Sequence, residues 1–172
     1  MGNQLVKPTI ALEEAFNDYI NEWKEYGEKL VPTVLRRPGD NFEVFIEKLL
    51  LAERGIGIPE GWVANSTYLL VNDNQRILGA CHIRHELTET LLNIGGHVGY
   101  GVRPTERGKG YASEILRLAL LKVKNMGVEQ ALITCNENNI ASKKVILNNG
   151  GVEGQSFVEE DGNVVKRYWI EL

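Results

Sequence analysis

The stretch Gly101-Val102-Arg103-Pro104-Thr105-Glu106-Arg107-Gly108-Lys109-Gly110-Tyr111-Ala112-Ser113 decides how this chain is read. Ahead of it, Gly95-Gly96-His97-Val98-Gly99-Tyr100 leads into a strand predicted at about Gly96 to Val102. Behind it, Ile115, Leu116, Ala119, Leu120, Val123 and Met126 recur at helical spacing, which predicts a helix over Ala112 to Met126 with a wide core-facing stripe and Gly127 as its stop. A strand, a glycine-rich basic turn and a strong helix thus follow one another. At a helix N-terminus free N–H groups and the positive dipole end converge, and glycines let a ligand approach the main chain. Arg107 and Lys109 add charge, so the turn favours a phosphorylated ligand. A turn of this composition also serves simply as an entry into a helix. Its glycine spacing matches neither GxxxxGK[ST] nor GxGxxG, which argues against a nucleoside triphosphate or a dinucleotide.

Working outward, Ser66 to Val71 and Ile77 to His85 predict an antiparallel hairpin across Asn72-Asp73-Asn74. Further upstream, apolar residues at three- and four-residue steps predict helices from Thr9 to about Gly27 and from Asn41 to Arg54, the second with Asp40 as N-cap. Downstream, Val128 to Cys135 is a strand whose Ala131-Leu132-Ile133 suits the middle of a sheet, Ile140 to Asn149 is a helix that Gly150 stops, and Gly154 to Leu172 gives two strands joined across Glu160-Asp161-Gly162-Asn163. The order helix, helix, three strands, helix, strand, helix, two strands predicts an α/β (α+β) domain: a mixed, mostly antiparallel sheet flanked by helices.

The chain has 172 residues, 43% of them hydrophobic and 24% charged, enough for one domain spanning 1–172 with its own core. No apolar run approaches the roughly 20 residues that cross a bilayer, and the N-terminus lacks a secretory pattern. Cys81 and Cys135 both stand in apolar runs and read as reduced core thiols of a cytoplasmic protein. A formal net charge of -4 with scattered Lys and Arg argues against a nucleic-acid partner. No metal-ligand spacing is present.

Arg107-x-x-Gly110-x-Ala112 resembles the R/Q-x-x-G-x-G/A signature of the GNAT-superfamily N-acetyltransferases, whose loop amides hold the pyrophosphate of CoA. Asn139-Ile140-Ala141-Ser142, followed by Val145, Ile146 and Gly150, is similar to the N-x-x-S motif of the ribosomal-protein N-terminal acetyltransferase branch. The resemblance covers about residues 66–172 and implies that this part is the core with the CoA site, residues 1–65 forming a helical part on the acceptor side. It implies acetyl-CoA as co-substrate, an amine acceptor, a splayed strand pair that receives the pantetheine arm, and a dimer as in many relatives. The cofactor-binding positions it implies are Gly101, Val102, Arg107, Gly108, Lys109, Gly110, Tyr111, Ala112, Ser113, Asn139 and Ser142. Asn139 and Ser142 serve equally as a helix cap.

The glycine-rich strand suits a bulge or a close approach by another chain, and the resemblance favours the bulge. Direct attack needs a neutral amine, and His97, on the strand that lines the thioester, is the candidate general base; His82, His85 and Glu86 stand in reserve. The family's usual general acid is a tyrosine four residues beyond the position of Ser142, and Ile146 stands there, leaving Tyr100 or Ser142 as substitutes. Trp23, Tyr26 and Trp62 read as core residues that could also line an acceptor pocket. A chain that binds acyl-CoA without turning it over is the alternative.

Overall fold

Tyr68-Leu69-Leu70-Val71 places four large apolar residues in succession, a pattern suited to a strand covered on both faces. The computed structural model describes residues 2–36, 39 and 41–172. Its elements are β1 (Gln4–Val6), α1 (Glu13–Glu25), α2 (Phe42–Ala52), β2 (Asn65–Val71), β3 (Ile77–Arg84), α3 (Glu89–Asn93), β4 (Val98–Val102), α4 (Tyr111–Asn125), β5 (Gln130–Asn136), α5 (Ile140–Asn148), β6 (Val152–Glu153), β7 (Phe157–Val158) and β8 (Val164–Glu171). The long elements fall where periodicity places them. β1, α3 and β6, with three, five and two residues, are too short to register as a period and are not foreseen. α2 is capped by Asn41, whose Oδ1 accepts from the Val44 N–H at 2.8 Å; Asp40, expected in that role, lies outside the described residues. Among the described residues no helix is long and apolar enough to cross a membrane.

The strands form two antiparallel sheets, one ordered β1-β2-β3-β4 and the other β5-β8-β6 with β7 also on β8. Among the described residues β4 and β5 are joined only through a bridge between Gly96 and Ile133, so the sheet is splayed at this seam. Alternation along β2 explains the layers. Tyr68 and Leu70 face a core with Ile115, Leu116 and Ala119 of α4, Ile133 of β5 and Ile146 of α5. Leu69 and Val71 face a second core with Phe16, Tyr19 and Trp23 of α1 and Phe42, Phe45 and Leu49 of α2. The first sheet is therefore packed between α4 and the two N-terminal helices.

A buried cation ties these layers together. Arg103, at the end of β4, is 2% exposed; its Nε meets Glu22 at 2.5 Å and its Nη2 meets Asp18 at 2.5 Å, both on α1. Glu22 also accepts from the Thr105 N–H at 2.8 Å and from the Thr105 hydroxyl at 2.7 Å. Burial pushes the Glu22 carboxyl up, but the bonds from Thr105 and Arg103 outweigh it and hold the group below the usual carboxylate range.

Removing one partner of a buried pair leaves the other charge uncompensated, so Arg103→Met should lower stability by about 3–5 kcal/mol in urea titrations. The folded-state pKa of Glu22 lies below the unfolded one, so its contribution is present above the carboxylate range and fades as pH falls through it. Glu22→Gln should accordingly flatten the acid limb of the stability profile, and an unchanged limb would contradict this linkage.

Candidate active site

A cleft of about 860 Å³ lies where β4, the turn before α4 and the start of α5 converge. Tyr100, Gly101, Val102, Arg107, Gly108, Gly110, Tyr111, Ala112, Ser113, Asn139 and Ser142 all line it, joined by Trp23, Glu28 and Val31 from the N-terminal part. His97 and Lys109, expected at the site, do not reach it, and neither do the reserves His82, His85 and Glu86 nor Tyr26 and Trp62.

The wall formed by α4 is a bare helix terminus. Gly110 is its N-cap with φ +86, a left-handed conformation that favours glycine, and having no side chain it leaves the first-turn N–H groups uncapped. The basic side chains around it are less free than the sequence suggests. Arg103 is held by α1 as described. Arg107 makes a two-pronged pair with Glu28, Nη1 to Oε1 at 3.0 Å and Nη2 to Oε2 at 2.6 Å, and stacks over the Trp23 ring at 5.1 Å. Lys109 pairs with Glu106 at 2.8 Å. The charge expected of Arg107 and Lys109 is thus already engaged, each facing a carboxylate, and main-chain N–H groups, with Lys29 and Lys144 in the lining, are what the cleft has to offer an anion.

The opposite wall is the free edge of β4. Antiparallel pairing turns every second residue toward its neighbour. The His97 carbonyl accepts from Arg84 N–H at 2.7 Å and the Arg103 N–H donates to the Leu78 carbonyl at 2.8 Å, so the odd residues of β4 address β3. Tyr100 and Val102 therefore present their main-chain groups away from β3, toward the seam, where the Val102 carbonyl accepts from Arg107 Nε at 3.3 Å. Gly101 lines the cleft but its main chain faces Ala80 of β3.

The β3–β4 register runs without interruption from Ile83–Val98 to Gly79–Val102, so the bulge expected in this strand is not there. Close approach is the reason for its glycines. A Cβ on Gly96 would overlap the Leu132 carbonyl, and one on Gly101 would overlap the Val31 carbonyl.

His97 sits at the root of the seam as a strut. Its N–H donates to the Leu132 carbonyl at 2.7 Å, and its Nδ1 accepts from the Leu132 N–H at 2.9 Å. In the neutral ring the remaining nitrogen carries the proton, so the lone pair a base needs is occupied. Burial, with Arg84 nearby, also pushes its pKa down. This geometry does not suit general-base work, contrary to the reading from sequence. Among the reserves, His82 is buried against Asn65, Nε2 to Oδ1 at 2.8 Å, and burial lowers its pKa to about 3. His85 bonds Ser66 at 2.7 Å, and Glu86 is exposed on the surface.

With the cleft described, the comparisons decide its kind. The acetyltransferase (GNAT) domain profile matches residues 10–152. The chain belongs to the GNAT acetyltransferases. It is an acyltransferase that moves an acetyl group from acetyl-CoA to an amine, and the match takes in most of the N-terminal part, where the sequence shows no more than helical character. Similar solved structures include a ribosomal L7/L12 alpha-N-protein acetyltransferase in complex with coenzyme A, 15% identical, covering 100% of this chain and 95% of that chain at a TM-score of 0.72. The microcin C7 self-immunity acetyltransferase in complex with acetyl-CoA and AMP is 14% identical, with coverages of 99% and 93% and a TM-score of 0.68. A spermidine N-acetyltransferase from Vibrio cholerae is 16% identical, with coverages of 99% and 95% and a TM-score of 0.63. At these identities the likeness is one of fold. No curated protein matches the sequence.

Against the GNAT pattern, the general-acid position is filled by a core residue: Ile146 is fully buried and packs on Gly151. The hydroxyl comes instead from the facing strand. Tyr100 Oη lies 2.6 Å from Ser142 Oγ inside the cleft, and burial pushes the phenol up to about 12, with the Ser142 bond opposing. Asn139 caps α5, its Oδ1 accepting from the Ser142 N–H at 3.1 Å. Trp23 is buried as expected, whereas Tyr26 and Trp62 are 53% and 48% exposed and do not belong to the core.

His97→Ala leaves the Leu132 N–H without its acceptor, so it should cost about 1–3 kcal/mol of stability in denaturant unfolding. Its pH–rate profile should keep the wild-type shape; loss of a limb near the histidine range would restore the base role.

Proposed function

We propose that acetyl-CoA binds with its pyrophosphate against the uncapped amides of Gly108 to Ala112 and its pantetheine arm along the free edge of β4, paired with the main chain of Tyr100 and Val102. The observation that carries this reading is the convergence on one cleft of a bare helix N-terminus and a strand edge that, among the described residues, no other strand covers beyond the bridge at Gly96: the first suits a phosphate, the second an amide-bearing chain. The chain acts as one domain, 1–172, in which residues 1–65 cover the acceptor side, and it works in the cytoplasm with Cys81 and Cys135 as buried free thiols.

In the reaction the lone pair of a neutral amine attacks the thioester carbonyl, and the oxyanion is met by the Val102 N–H. The C–N bond forms, the C–S bond breaks, and CoA leaves as thiolate. Tyr100, protonated throughout the working pH range, donates to the departing sulfur and recovers its proton through Ser142. The amine loses its proton to water, since His97 is occupied as a strut.

Thermal unfolding tests the donor site first: acetyl-CoA bound to the native state should raise the midpoint, whereas ATP and NAD should not. No shift at millimolar acetyl-CoA would sink the binding mode. For the chemical step, Tyr100→Phe should lower kcat by about tenfold or more, with the acetyl-CoA affinity little changed, in a thiol-release assay.

A further inference from the structure

A second cavity of about 520 Å³ lies over the face of β3 and β4 that the N-terminal segment covers, and Trp62, Asn65, His82, Arg84, Thr33 and Thr88 are among its lining residues. It adjoins the cleft: Thr33 belongs to one and Val31 to the other, across Val31-Pro32-Thr33. His82 is paired with Gly99 and Ala80 with Gly101, so the cavity floor and the cleft are two residues apart along β4, roughly 7 Å.

Arg84 is the unusual member. Its Nη1 donates to the Gly95 carbonyl at 3.0 Å and weakly to the Gly96 carbonyl at 3.5 Å, and its guanidinium lies across Gly99, 3.6 Å from where a Cβ would stand. Among the described residues its Nε and Nη2 have no hydrogen-bond partner, and no carboxylate pairs with it. The other arginines around the cleft show the contrast, since Arg76, Arg103 and Arg107 all have carboxylates within 4 Å. A half-buried guanidinium is not relieved by losing its proton, so a cation held this way calls for an anion from outside.

The rest of the wall is ordered around Arg84 and offers an acceptor, not a second cation. The Asn65 amide donates to the Val63 carbonyl at 2.9 Å, which turns its Oδ1 to His82 and leaves the Nδ1 of that neutral ring unclaimed as an acceptor. The Trp62 indole stands 6.2 Å from the His82 ring and lines the same cavity. The carboxylate in the lining is Glu60, and it does not pair with Arg84.

We propose that this cavity is the acceptor site and that Arg84 holds an oxyanion carried by the acceptor, so that the substrates are primary amines bearing a carboxylate or phosphate a few bonds from the reacting nitrogen. The proposal rests on the donor cleft being where transfer occurs. The unpaired Nε and Nη2 form a fork for two parallel bonds to such an oxyanion, and Trp62 packs against the acceptor's apolar part.

Calorimetric titration of the CoA-saturated protein tests it without requiring turnover. Three acid and amide pairs serve as probes (glycine and glycinamide, L-methionine and L-methioninamide, L-tryptophan and L-tryptophanamide), together with O-phosphoethanolamine and ethanolamine. At least one oxyanion-bearing amine should bind about tenfold or more tighter than its uncharged counterpart. A preference among the acids assigns a carboxylate, and a preference for O-phosphoethanolamine assigns a phosphate. Arg84→Gln should bring that ratio close to one while the uncharged amine binds as before, and Arg84→Lys should keep part of it. Trp62→Ala, at an exposed position, should weaken both members of a pair alike. Equal binding of every pair to the wild type, or a ratio that survives Arg84→Gln, overturns the proposal. Failure of the transfer reading shows separately, as binding without thiol release from any amine.

Discussion

Arg103 is the residue on which the arrangement of this molecule depends. A guanidinium at 2% exposure has no water to solvate it, so it persists in that place only while Glu22 and Asp18 of α1 remain beside it. Glu22 in turn spends its second oxygen on the Thr105 N–H and hydroxyl, inside the turn that leads to α4. One set of charge-assisted bonds thereby fixes the N-terminal helices relative to the end of β4 and to the helix terminus that faces the cleft. If α1 moved, a cation and a carboxylate would both be left unpaired in a poorly hydrated place. The geometry of the cleft is thus tied to the docking of α1 by an electrostatic penalty and not only by apolar contact.

The same bookkeeping of charge separates two sites that the sequence alone runs together. Around the α4 terminus every named basic residue is balanced: Arg107 by Glu28, Lys109 by Glu106, Arg103 by α1. Arg107 holds the Glu28 carboxyl below its usual range, so this anion stays ionised in the wall of the cleft. A phosphate entering there can be met by main-chain N–H groups and by Lys29 and Lys144, which also line the cleft and have no carboxylate partner among the described residues, without taking Arg107 from Glu28. Over β3 the reverse holds, because Arg84 has no carboxylate partner among the described residues.

The long elements and the donor motif are legible in the sequence because each rests on local information. The stripe Ile115, Leu116, Ala119, Leu120, Val123 defines α4 by its period, and Gly110-x-Ala112 announces the turn before it. What the sequence does not disclose is pairing across distance. Nothing local says that Arg103 belongs to residues 81 and 85 positions earlier, or that Glu28 reaches Arg107 across 79 residues. His97 illustrates the same gap: flanked by glycine on a strand by the thioester, it looks free to titrate, and only the partner strand reveals that Leu132 occupies its lone pair. Tyr100 and Ser142, 42 residues apart, become a pair through the crossover of α4 and β5.

The glycines of the strand explain why such pairings can exist. Two of them, Gly96 and Gly101, mark places where a side chain would exclude a neighbour. At Gly96 it would push away the Leu132 carbonyl and break the bridge that roots the seam; at Gly101 it would push away Val31, which borders both cavities. A bulge would have turned the strand's main-chain groups out of phase beyond it. An unbroken register keeps Tyr100 and Val102 in the same phase along the seam, with Gly99 free to lie beneath the guanidinium of Arg84. One short strand can then border the cleft along its edge and the second cavity across its face, because removal of side chains, and not distortion of the backbone, makes the room.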